Sequence, residues 1–491
     1  MSTILNWSVR EEEVTREDLV MFVNACFACT GQKEFYSHGY GDRVSIDFLH
    51  EYILGNYRLL YARTLAAGIN HFNTAQIILK LLATGKDTLP ENKAEEGTLI
   101  AAALNSLPPQ RAWKLLEQLK QRRINNRRSR AIVREYINQH KNINFQAVKY
   151  RSKLREIVSH IHLKLNGELG NFLFSGWQKR VYETELFEKF RQAHYSAEAI
   201  YELPYTVAEG LAYKHKIPRQ IFLSRIESQM TLGEKLRLQK TAERTDKVKI
   251  ELNWEKLPLT KLALYILSLS IKKRSENWHL FHEGLLKAAR NILSKSPLKL
   301  GKVAAVLDCS YSSSGSSEKR RRPLGVALAA HYLLKIAAIE YKSFWTGDIK
   351  EPLLVTARGQ TNLATPLLNA IEYNPDLIVI ISDAWDNDPP NGAAEVLRIY
   401  RTKLDPKKSI AIAHFNPVFD TDNYNLRSIS PLIPTLGLRD AEDLPTMLNF
   451  ARFAEGSANL KELEEYLAGR VEQMLSKHTS SVFISENKTQ I

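Results

Sequence analysis

From about residue 12 to residue 298, apolar positions recur three and four residues apart, and short Gly, Pro or Asn breaks separate the runs. That is the pattern of successive amphipathic helices. The spacing predicts helices over 15–28, 46–54, 56–67, 74–82, 95–107, 109–120, 129–139 and 147–165. Further ones are predicted over 182–194, 196–203, 205–214, 219–228, 231–242, 259–271 and 278–294. Thr15, three residues before Asp18, reads as a capping-box start for the first of these. At Ser296-Pro297-Leu298 the pattern changes. Short apolar runs at 302–307, 341–345, 376–382 and 409–413 read as strands, alternating with helices at 323–338, 365–373, 393–403 and 458–475. Strands apolar on both faces, separated by helices, describe an α/β domain with a doubly wound parallel sheet. The expected organisation is therefore multi-domain: an all-α array over 1–298, an α/β domain over 299–478 and a polar tail over 479–491.

Composition narrows the class. With 44% apolar and 25% charged residues in 491, the chain has material for more than one packed core. The longest apolar stretches fall well short of the roughly 20 residues that span a bilayer. The N-terminus shows no basic segment followed by an apolar one. Three cysteines make no disulfide framework. A cytoplasmic protein without a membrane partner is expected.

The formal charge is +14, and residues 111–155 carry nearly all of it: fourteen Lys and Arg against Glu117 and Glu135, a local balance of +12. So dense a patch points to a polyanion, because each phosphate neutralised releases condensed counterions. Arginine suits bidentate phosphate contacts better than lysine does. The interleaved Trp113, Tyr136, Phe145 and Tyr150 offer stacking surfaces for single-stranded bases, and His160 a ligand-facing side chain. An acidic protein partner and a plain solvated helix face are the alternatives.

The first predicted strand runs into Asp308-Cys309-Ser310-Tyr311-Ser312, an Asp-x-Ser-x-Ser. Thr361 lies in the loop Gly359-Gln360-Thr361-Asn362, and Asp383 follows the most apolar strand. Strand carboxyl ends are where such folds bind ligands. Two carboxylates and three hydroxyls, completed by water, form the hard-oxygen set that Mg²⁺ or Mn²⁺ prefers, with one position open to a partner's carboxylate. No nucleophile arrangement or phosphate-cradling glycine loop marks an enzyme. Cys26-Phe27-Ala28-Cys29, a single pair on an apolar helix, reads as core.

Asp308, Ser310, Ser312, Thr361 and Asp383 together resemble the metal-ion-dependent adhesion site of a von Willebrand factor A domain. Departures are Gln360 and Ala384, where that family favours Gly, and a long basic loop from Ser312 to Arg322. A HEAT-like helical array followed by such a domain resembles the Ro ribonucleoprotein (TROVE module) family. The segments that carry this likeness are 361–367, 376–383 and 396–405, helped by Ala147-Val148-Lys149-Tyr150-Arg151. The resemblance implies a non-catalytic, ring-forming scaffold that binds single-stranded RNA ends and small structured RNA. Arg122, Arg123, Arg127, Arg128, Arg130, Lys149, Arg151 and Lys153 are then the expected phosphate contacts. The competing expectation is a metal-dependent adaptor that docks an acidic client or a MoxR-type ATPase.

Overall fold

The computed structural model describes residues 2–36, 40–178, 181–243, 248–420 and 425–486. The protein is mostly helical, with one small parallel sheet near its C-terminal end. Among the described residues no helix is long and apolar enough to cross a membrane. The chain divides into two compact units, one of residues 1–74 with 257–471 and one of 75–256 with 472–491.

The first unit is built on five strands, β1 (Leu300–Leu307), β2 (Ala338–Trp345), β3 (Leu377–Ile381), β4 (Ala411–Asn416) and β5 (Thr435–Gly437). They run in the order β2-β1-β3-β4-β5, every pair parallel. The strand order reverses between β1 and β3, which pair directly with Leu307 opposite Ile381. β1 and β3 are Val, Ala, Leu and Ile almost throughout, because helices cover a parallel sheet on both faces. The crossover from β1 to β2 runs one way along the sheet and those from β2 to β3 and β3 to β4 the other, and right-handed crossovers of opposite direction put their helices on opposite faces. One core packs Val306, Ile378, Ile380 and Ile412 against Leu363, Leu367 and Leu397.

The N-terminal helix Ser2–Ala28 belongs to this same unit, which the 298/299 boundary did not anticipate. Asn24 bridges it to β5, donating to the Thr435 carbonyl at 3.1 Å and accepting from Gly437 N at 3.3 Å. Gly437 is needed for this approach, since a Cβ there would fall 2.3 Å from the Asn24 carbonyl oxygen. Thr15 is interior to the helix and its hydroxyl bonds back to the Glu11 carbonyl at 2.9 Å, so it is no N-cap. Cys26 and Cys29 are buried core thiols, as read.

In the second unit, helices at Pro109–Gln121 and Arg127–Gln139 stand close to expectation. Asn126 caps the latter through the Ser129 N–H at 2.9 Å. The expected helix over 147–165 is two, Ile143–Lys149 and Arg151–His160, broken at Tyr150 (φ −123°, ψ 33°). Phe172 and Phe187 stack with ring centroids 4.1 Å apart at the centre of an aromatic cluster with Tyr182 and Phe190. Of residues 479–491, read as a tail, 479–486 continue the helix Leu460–Glu486 to its end; 487–491 lie outside the described residues.

Candidate metal centre and basic surface

Asp308 is the residue after β1, and Asp383 stands two beyond β3, so the sheet's reversal point brings both carboxylates to one end of adjacent strands. The Asp308 N–H donates to the Ile381 carbonyl at 3.0 Å, tying the two strand ends together. Both side chains are buried at 3% exposure, as are Ser310, Ser312 and Thr361 at 4% or less. Asp308 Oδ1 accepts the Ser310 N–H at 2.8 Å and the Thr346 hydroxyl at 3.2 Å. The Ser310 and Ser312 hydroxyls lie 3.2 Å apart, and Ser312 hydrogen-bonds Asp383 in turn. Asp383 Oδ1 also accepts the Trp385 N–H at 3.1 Å. Thr361 sits on the loop before the helix Ala364–Glu372 and is clamped to the Asp383 loop. Its N–H donates to Asn387 Oδ1 at 2.9 Å and its carbonyl accepts from Asn387 N and Asp388 N.

Two observations show that the cluster's own residues leave it unsatisfied. Asp308 Oδ2 is buried and has no hydrogen-bond partner, a costly state for a carboxylate oxygen. Burial and the facing charge of Asp308 push the Asp383 carboxyl up to about 7, and burial holds Asp308 above its usual range as well. A divalent ion would satisfy the orphaned oxygen and remove the repulsion together. The donors present, two carboxylates and three hydroxyls, are the hard oxygens that Mg²⁺ or Mn²⁺ takes. Among the described residues there is no group of three or more His, Cys, Asp or Glu able to hold a metal, so a cation here would have to draw on the hydroxyls as well.

Sequence reasoning missed the rim. Thr346, one residue past β2, is a hydroxyl on Asp308 that the strand-end rule could have found. Tyr36 has no local signal: its ring packs on Trp385 at 4.5 Å, and its phenol lies among Asp383, Ser312 and Asp308. Arg427 covers Trp385, its guanidinium 3.7 Å from the ring centroid. The basic loop after Ser312 is held in place by the segment before Tyr36. Lys319 and Glu34 form a buried ion pair, the Ser316 hydroxyl donates to the Lys33 carbonyl at 2.6 Å, and Arg322 pairs with Asp440 at 2.5 Å. Ala384, at a position where glycine was expected, has φ +62°, the left-handed backbone that glycine adopts without strain.

The basic segment separates into two sets of side chains. Arg128 pairs with the buried Glu96 at 2.5 Å, Lys149 with Glu234 at 3.1 Å and Lys153 with Glu117 at 2.7 Å. Arg151 donates to the Phe172 and Leu173 carbonyls. These four of the eight expected phosphate contacts hold the unit together. Arg122, Arg123, Arg127 and Arg130 form no ion pair among the described residues, and the first three are exposed. The expected stacking surfaces also divide. Trp113 is fully buried with its indole N–H on Gln146 at 3.0 Å, and Tyr136 is core, so neither is a platform for bases; Phe145 is exposed. His160 bonds the Ile124 carbonyl through Nε2 at 3.0 Å and braces the fold instead of facing a ligand.

Comparison with the models of known protein families and with curated proteins finds no match for this chain.

Proposed function

We propose that this protein is a non-catalytic, Ro-like RNA-binding scaffold. Its HEAT-like helical unit holds single-stranded or small structured RNA, and a von Willebrand factor A-type domain carries an Mg²⁺ or Mn²⁺ adhesion site. The observation that carries the RNA reading is the set Arg122, Arg123, Arg127 and Arg130, concentrated within nine residues and committed to no internal carboxylate. A purely structural patch would have spent these charges as Arg128 and Lys149 are spent. Filter binding to a single-stranded RNA tests it. Affinity falls steeply with salt, and reversing the four arginines to Glu lowers the slope of log K against log salt by about 3, at about 0.7 per phosphate contact. Binding that ignores salt, or that survives the reversal unchanged, sinks the reading.

The orphaned Asp308 Oδ2 and the site's position at the strand ends favour a second reading, a metal-dependent adaptor for an acidic client or a MoxR-type ATPase. Its test is co-purification with and without chelator. An interaction lost in Asp308→Ala but indifferent to nuclease identifies the adaptor; one lost to nuclease alone identifies the RNA scaffold.

A further inference from the structure

The solvent face of the helix Arg127–Gln139 repeats at helical spacing. Arg127, Arg130, Arg134 and Asn138 follow one another at steps of three, four and four residues, opposite the buried Ile132, Val133 and Tyr136. Such steps place successive side chains about 4.5–6 Å apart along the axis. None of the three arginines has an ion-pair partner among the described residues. The row does not end in open solvent. Arg134 and Asn138 are themselves walls of an open groove of about 590 Å³, lined also by Ile143 and by the connection from His162 to Leu169. This connection is fixed at its start: His162 takes a left-handed backbone (φ +54°) and Leu163 N donates to the Val158 carbonyl at 3.0 Å. The slot is largely apolar, with Ile137, Leu163, Leu165 and Leu169, while Lys164 and Asn166 stand exposed beside it.

A cationic row that leads into an apolar slot edged by amides fits a chain that is anionic along its backbone and flat and apolar in its side groups. We infer that this juxtaposition is a track for single-stranded RNA ending in a pocket for one unstacked nucleobase. The row takes the phosphates, the leucines and isoleucines take the base faces, and Asn138 and Asn166 meet its polar edge. The inference rests on the RNA reading above and locates it. Taking about 60 Å² of one base face out of water against these aliphatic side chains is worth about tenfold in affinity.

The test uses the full chain and a series of single-stranded RNA 12-mers, each with one position abasic or replaced by 4-thiouridine. One abasic position is expected to weaken binding about tenfold while the others change it little, and 4-thiouridine at that position crosslinks to the peptide spanning residues 162–169 on irradiation. In the double variant Asn138→Ala with Asn166→Ala, both exposed and away from the core, the penalty of that abasic position shrinks. Crosslinks confined to other peptides, with RNA affinity intact, overturn the pocket and leave the RNA reading standing. Equal loss at every abasic position, or full competition by heparin with no crosslink, shows a surface that reads charge alone and overturns it too. A chain that binds no RNA overturns both, and capture of an acidic protein at the same face would replace them with a protein interface.

Discussion

Removing one carboxylate from the candidate metal centre should stabilise the protein when metal is absent and abolish its stabilisation by metal. In Asp383→Asn the buried group no longer has to ionise beside Asp308. Asp383 titrates at about 7 in the folded chain, because burial and then the Asp308 charge raise it, against about 4 for a free carboxyl. A group whose folded pKa is raised costs nothing below its unfolded value, where both states are protonated. As pH rises from about 4 to about 7 the unfolded chain ionises first, so stability is lost across that window and stays lost above it. Three pKa units correspond to about 4 kcal/mol at the upper end, an order-of-magnitude figure for so closely linked a pair. A bound cation would work the other way: at a hundred times its Kd it would add about 2.7 kcal/mol to the folded state, offsetting most of that cost. The assay is the thermal midpoint of the first unit, followed in EDTA and in millimolar Mg²⁺ from pH 5 to pH 8. In EDTA, Asp383→Asn should gain on the unaltered chain progressively between pH 5 and 7, by several degrees at the top, at about 2–4 °C per kcal/mol. In Mg²⁺ the unaltered chain should gain most at pH 8 and the variant nothing. Equal midpoints for the two proteins in EDTA at pH 8, or an equal Mg²⁺ response, would refute the reasoning.

Four further outcomes are expected. Glu96→Ala strands Arg128 in a part-buried position and should cost about 3 kcal/mol in urea unfolding of the second unit; a loss under 1 kcal/mol would make Arg128 a free cation after all. Glu34→Ala should destabilise the first unit by a similar amount, since Lys319 is 8% exposed and loses its buried carboxylate, and calorimetry resolves this. Gly437→Ala forces a Cβ onto the Asn24 carbonyl, a backbone atom that cannot rotate away, so a loss of about 1–3 kcal/mol is expected and increased proteolysis of the 1–28 segment reports it. Ala384→Gly trades a left-handed strain of about 1–2 kcal/mol against about 0.4–1 kcal/mol of added chain entropy, and should be neutral to slightly stabilising by chemical denaturation.

What the sequence made legible follows from how local each signal is. β1 and β3 read correctly because four or five consecutive buried apolar residues have few other uses, and Asp308 and Asp383 were found because a strand's end fixes its successor in space. β5 was missed: three residues, Thr435-Leu436-Gly437, are too short to show a period, and their strand character comes from pairing with β4. Tyr36 and Glu34 meet the loop after Ser312 only through tertiary contacts, and the 298/299 boundary separated two halves of one unit for the same reason.

Charge shows the limit most clearly. Arg127 and Arg128 are neighbours with the same side chain, and composition gives them the same role. On a helix they point about 100° apart. Arg128 therefore turns toward the helix Lys93–Ser106, where Glu96 is buried and Thr88 and the Lys93 carbonyl also accept from it. Arg127 turns to solvent, in line with Arg130 and Arg134. A buried carboxylate has to be paired, so Glu96 decides which arginine is structural. The charges left for a partner are those that the fold's own buried acids do not claim, and only coordinates reveal that remainder. By this logic the charge left for the proposed RNA is Arg122, Arg123 and an arginine row on one helix face, narrower than the +12 stretch of sequence that contains it.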